Sequence, residues 1–133
     1  MTSVVTYLTN LRCEAVHLQS GTTMLTDAPT DNHGQGAAFS PTDLCATSLA
    51  ECGLTTIAIL GRNRNLSIDG SRAEVNKIMS SNPRRIAEIQ IDFYLKGIFS
   101  PEEKEFIENT AHNCPVALSL HPDVRQTLRF YFE

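Results

Sequence analysis

Residues 40–61, Ser-Pro-Thr-Asp-Leu-Cys-Ala-Thr-Ser-Leu-Ala-Glu-Cys-Gly-Leu-Thr-Thr-Ile-Ala-Ile-Leu-Gly, constrain the fold more than any other stretch of the chain. They open on a helix-start signal. Ser40 carries a side-chain oxygen for an orphan amide, Pro41 suits the first helical position, and Asp43 stands three residues after the cap. From Leu44 to Gly61 the only charge is Glu51. Most of the helix circumference is therefore expected to be buried, with the rest of the chain arranged around it. Cys45, Ser48, Cys52 and Thr55 share one helical face. Side chains this small let another backbone, or a ligand, come close. A buried helix with a thiol at its middle is the candidate reactive centre.

A chain of 133 residues fits one domain over residues 1–133, with a core of useful size that dimerisation would help to complete. Hydrophobic residues at 41% and charged residues at 20% describe a soluble globular protein. The net charge of −4 gives no support for a nucleic-acid partner. The local bunch Arg62, Arg64, Arg72, Arg84 and Arg85 has no interleaved aromatics and reads as a solvated rim. No apolar run is expected to reach the roughly 18 residues of a membrane span. The N-terminus lacks a basic region followed by an apolar core, so a cytoplasmic location without a membrane partner is expected. In such a reducing compartment structural disulfides are unusual. The cysteines at 13, 45, 52 and 114 form no C-x-x-C pair, which argues against a structural zinc site. No metal and no cofactor are expected.

In chain order, residues 3–8 and 11–18 read as strands bent at Thr9-Asn10, and Ser20-Gly21 turns into a third strand over residues 22–26. Residues 27–36 form a polar loop. Gly34-Gln-Gly36 lacks the lysine of a phosphate loop, and Asp27, Asp31 and His33 read as turn residues rather than metal ligands. After the helix, residues 71–80 and 86–95 form a hairpin. Ala87, Ile89, Ile91, Phe93 and Leu95 alternate with Glu88, Gln90, Asp92 and Tyr94, giving one core face and one wet face. Ser100-Pro-Glu-Glu starts a second helix with Phe106, Ile107, Thr110, Ala111 and Cys114 on its apolar face. Pro115 starts a fresh helical turn through residue 120, and residues 124–132 end the chain as a strand. The class is α+β, with an antiparallel sheet wrapping a buried helix.

Three motifs are now in place: Ser40-Pro-Thr-Asp-Leu, then Ser-Leu-Ala-Glu-Cys52, then Cys114-Pro-Val-Ala-Leu-Ser-Leu. Together with the element order, over essentially the whole chain, they resemble the OsmC/Ohr family, the osmotically inducible protein C and organic hydroperoxide resistance proteins. The general OsmC-like branch is the nearest in detail. The resemblance implies the OsmC-like fold, antiparallel sheets wrapped around a long buried central helix, in an intertwined homodimer with active sites at the subunit interface. It implies a thiol-dependent peroxidase that reduces organic hydroperoxides in oxidative-stress defence and is itself reduced by a cellular dithiol. Cys52 matches the peroxidatic cysteine, Cys114 the resolving cysteine and Arg12 the catalytic arginine.

Elementary chemistry supports these roles. Only a thiolate attacks a peroxide bond. Cys52 lies about three turns inside the helix, where the N-terminal dipole has little effect, and burial disfavours the charged thiolate. A nearby cation is needed, and Arg12 suits because guanidinium stays charged. Attack would leave a sulfenic acid on Cys52 that Cys114 can condense with. Cys45 lies about 10 Å along the axis from Cys52, too far for an intrahelical disulfide, and is read with Cys13 as a packing residue. One position departs from the family. The peroxidase branches carry a glutamate directly after the proline, where it holds the arginine; here that residue is Thr42. Asp43 and Glu51 are possible arginine partners instead. The alternative function is a catalytically weak OsmC-like protein that binds a small molecule.

Overall fold

The computed structural model describes all residues, 1–133. The chain forms two compact units, Met1–Cys45 and Ala46–Glu133.

The first unit is a three-stranded antiparallel sheet followed by a loop and the opening of a helix. Its strands are β1 (Ser3–Tyr7), β2 (Arg12–His17) and β3 (Thr23–Asp27), in the order β1-β2-β3. The β1–β2 bend is made by Asn10 and Leu11, both with left-handed φ of 52° and 63°. In register, Tyr7 faces Cys13 and Arg12 faces Asp27. This sheet has almost no interior. Asp27 is its one buried strand residue, whereas Val4, Val5, Tyr7, Met24 and Leu25 stay exposed.

The second unit takes up helix α1 (Pro41–Gly61), a hairpin of β4 (Arg72–Ser80) and β5 (Arg85–Leu95), helices α2 (Pro101–His112) and α3 (Pro115–Ser119), and β6 (Arg125–Phe132). The sheet order is β4-β5-β6. The β4–β5 pair is antiparallel as expected, but β5 and β6 run parallel, Glu88 facing Arg125 and Leu95 facing Phe132. The all-antiparallel expectation is corrected there. The reason is the connection: α2 and α3 carry the chain back to the start of β5 before β6 begins, which is the crossover that a parallel pair needs.

Alternation along β5 builds the core. Ile89, Ile91, Phe93 and Leu95 are fully buried, and Phe93 stacks on Phe130 with ring centroids 5.1 Å apart. Helix α1 adds Ala46, Leu49, Ala50, Gly53, Ile57 and Gly61, a stripe recurring every three or four residues. Ile107, Ala111, Cys114 and Ala117 close the other side. The capping box that starts α2 is present as expected, Glu103 N–H donating to Ser100 Oγ at 3.1 Å and Ser100 N–H to Glu103 at 2.8 Å.

Two expectations for α1 change. Its burial is one-sided within the chain: Thr55 and Ile59 on the face opposite the stripe, and Ala58 and Leu60 on its flanks, remain exposed. The segment Pro41–Arg64 is also long and apolar enough to cross a membrane by length and composition, with a mean hydropathy of 1.5, where no such run was expected. In this fold its apolar length is used in packing onto β5 and α2. Replacing Phe93 by Ala is expected to lower unfolding free energy by about 3–5 kcal/mol. Leu118, 70% exposed, should change it by about 0.5 kcal/mol or less on the same replacement. Denaturant titration of both variants checks the contrast.

Candidate functional site

The site begins at the start of α1. Asp43 N–H donates to Ser40 Oγ and Ser40 N–H donates to Asp43 Oδ2, both at 3.0 Å. This reciprocal box satisfies two backbone donors and holds the helix start in place. Thr42 Oγ1 lies 3.2 Å from Ser40 Oγ.

Cys52 borders the packed stripe of α1, half-buried between exposed Glu51 and buried Gly53. Its Sγ lies 3.8 Å from Thr56 Oγ1, one turn on. Cys114 is fully buried at the junction of α2 and α3, in an extended conformation just before Pro115. Its sulfur is near enough to the Cys52 side chain and to the Ala117 and Val116 amides for all three to act on its charge. The two thiols expected to act together are thus adjacent, although 62 positions separate them in sequence. None of the four cysteines is in a disulfide, and Cys13 and Cys45 are half-buried on β2 and α1.

The surroundings of Cys114 push its pKa up. Burial is the largest cause, the Ala117 amide pulls the other way, and the Cys52 thiol adds to the rise. Cys114 therefore keeps its proton at neutral pH. The folded state holds this proton to a higher pH than the unfolded chain does, so unfolding above the ordinary thiol value releases it. The resulting stability is complete below that value of 9.0 and is lost as pH rises toward the folded value. Unfolding titrations across that range should show a steeper alkaline loss for the wild type than for Cys114→Ala; equal slopes would contradict the assignment.

Arg12 opens β2, and its register partner is Asp27. Arg12 Nε lies 3.6 Å from Asp27 Oδ1, and Nη2 donates to Gln35 Oε1 at 3.3 Å. Asp27 Oδ2 accepts the Ala37 N–H at 2.9 Å. Asp27, read from the sequence as a turn residue, is thus a strand-end carboxylate paired with Arg12. Of the two carboxylates expected for that role, Asp43 accepts the Ser40 amide in the helix cap and Glu51 is exposed on α1. A groove of about 450 Å³ runs between α1 and α2, lined by Thr56, Leu60, Arg64, Phe106, Thr110 and Asn113 among others but by neither thiol. Sequence reasoning missed it. The Arg64 guanidinium stacks over the Phe106 ring at 4.0 Å within it.

A model of the family described as OsmC-like protein matches residues 34–129. No curated protein matches the chain. Among solved structures, a Psychrobacter arcticus 273-4 protein, described provisionally as an osmotic stress induced and detoxification response protein, is 47% identical. That match covers 98% of this chain and 96% of the other, with a TM-score of 0.95. The OsmC-like protein of Mycoplasma pneumoniae is 19% identical, with coverage of 98% and 94% and a TM-score of 0.81. The organic hydroperoxide resistance protein OhrB of Bacillus subtilis shares the fold at 16% identity, 98% coverage of both chains and a TM-score of 0.66. With its α+β architecture, its thiol pair and these matches, the chain belongs to the OsmC-like family.

Proposed function

We propose that this protein is a cysteine-dependent peroxidase that reduces organic hydroperoxides to alcohols, in oxidative-stress defence. The observation that carries this reading is the nearness of Cys52, partly open to solvent, to Cys114, buried and protonated. The Cys52 thiolate attacks the outer oxygen of the hydroperoxide. An S–O bond forms, the O–O bond breaks, and the alcohol leaves after taking up a proton. Cys114 then attacks the sulfenic sulfur, giving a Cys52–Cys114 disulfide and water. A cellular dithiol restores both thiols by exchange.

Arg12 supplies the positive charge that favours the Cys52 thiolate and binds the peroxide oxygens. The helix itself contributes little, because Cys52 stands well beyond the first turn. A homodimer in the cytoplasm, with active sites at the subunit interface, completes the proposal. In its support, the sheet of β1, β2 and β3 exposes Val4, Val5, Tyr7 and Leu25 and buries almost nothing of its own.

Steady-state assays with an organic hydroperoxide and a dithiol test this directly. Cys52→Ser should fall to the rate of the dithiol alone. Arg12→Ala should lose roughly 10²–10³ in kcat/KM. Cys114→Ser should keep the first reduction and accumulate a sulfenic acid trappable by a dione reagent. The second reading, a small-molecule-binding protein, is favoured by the groove of about 450 Å³ between α1 and α2. It would replace the first if the wild type turned over no faster than Cys52→Ser while retaining an apolar ligand.

A further inference from the structure

Asp27 is the most unusual polar group in the chain. Its side chain is fully buried, and its Oδ1 has no hydrogen-bond partner. Leaving a buried carboxylate oxygen unpaired is costly unless a charge compensates. The compensating charge is Arg12, 3.6 Å away through Nε and itself 37% exposed. We propose that Asp27 is a positioning residue: with Gln35 it clamps the Arg12 guanidinium in the orientation that serves Cys52. This rests on the peroxidase reading of Cys52 and Arg12 given above.

The clamp is built from both sides. Asp27 faces Nε, and Gln35 Oε1 accepts from Nη2. Neither contact uses Nη1, the nitrogen this proposal gives to a peroxide oxygen. The Asp27 carboxylate cannot swing freely, because Oδ2 accepts the Ala37 amide at 2.9 Å. Its backbone is fixed as well: Asp27 N–H donates to Phe39 C=O at 3.0 Å, and the strand register puts the residue opposite Arg12. The loop that delivers Gln35 and Ala37 folds tightly back on the strand end. Gly34 N–H donates to Pro29 C=O at 2.9 Å, and Gly36 N–H to Ala28 C=O at 3.3 Å. A side chain at Gly34 is impossible there, since its Cβ would sit 1.7 Å from the Ala28 carbonyl oxygen. At 3.6 Å the Arg12–Asp27 pair is an ion pair rather than a hydrogen bond, so a small inward movement of the guanidinium can shorten it.

The test compares Asp27→Asn, Arg12→Ala and the double variant for organic hydroperoxide turnover under saturating dithiol. Misplacing a catalytic group by about 1 Å can cost about 10²-fold in rate. Asp27→Asn should accordingly lose about 10- to 10²-fold in kcat/KM. The double variant should be no worse than Arg12→Ala alone, because both changes remove one device. A merely structural role would instead add its loss to that of Arg12→Ala. A second readout is the rate of Cys52 alkylation at neutral pH. Loss of positioning slows alkylation, as in Arg12→Ala, whereas simple removal of a negative charge speeds it. Gln35→Ala, at an exposed residue that leaves the fold intact, should slow turnover and alkylation in the same direction by a smaller factor. Wild-type turnover and alkylation in both Asp27→Asn and Gln35→Ala would overturn the proposal. If Cys52→Ser abolished turnover in the same series, the peroxidase reading would still stand; full activity in Cys52→Ser would instead remove the reading itself.

Discussion

The thiol pair exists because a glycine follows Cys52. Gly53 is buried on α1, and a Cβ built there would lie 3.0 Å from the Phe93 ring and 3.8 Å from the Ala111 Cβ. Without that atom, α1 lies directly on the central strand β5 and close to the end of α2. Cys52 is the neighbour of Gly53, and Cys114 stands three residues beyond Ala111. Close approach of these two helices is what brings cysteines distant in sequence near one another. The small residues of α1 thus serve the chemistry by geometry. The core around them, with Phe93 stacked on Phe130 and Ile57 and Ile107 sealed from solvent, holds that geometry in place.

The two thiols differ in what surrounds them. Cys114 has no solvent exposure and keeps its proton, even though the Val116 and Ala117 amides at the start of α3 favour its thiolate. Burial outweighs those donors. Cys52 is only partly buried. This division suits a sequence in which one sulfur meets an oxidant and the other waits behind it. Charge for the first step has to come from outside α1, whose body carries only Glu51. Arg12, held between a buried carboxylate and an amide side chain, is the cation to which the proposed mechanism assigns that role.

Much of this was legible in the sequence because the local signals agree with one another. The cap at Ser40, the second capping box at Ser100 and the alternation from Ile89 to Leu95 each specify an element without tertiary help. The thiol pair was legible through family resemblance, since no local pattern links residues 52 and 114. What escaped was long-range pairing. Symmetrical pairing about Ser20-Gly21 would set Arg12 opposite Pro29; the actual turn centres on Gln19–Ser20 and sets it opposite Asp27. A two-residue slip keeps the same faces inward, so alternation alone does not detect it. The parallel placement of β6 escaped for a related reason. Its inward residues, Leu128 and Phe130, pack the same way in either direction, and only the length of the α2–α3 crossover carries the distinction.

The central claim is that Cys52 and Cys114 form one redox unit, and peptide mapping of the reduced protein after one equivalent of an organic hydroperoxide addresses it most directly. A peptide pair joined through Cys52 and Cys114, with Cys13 and Cys45 still alkylated as free thiols, is the predicted result. A Cys114 that remains alkylatable while Cys52 is over-oxidised, or linked to Cys13 or Cys45, would contradict it.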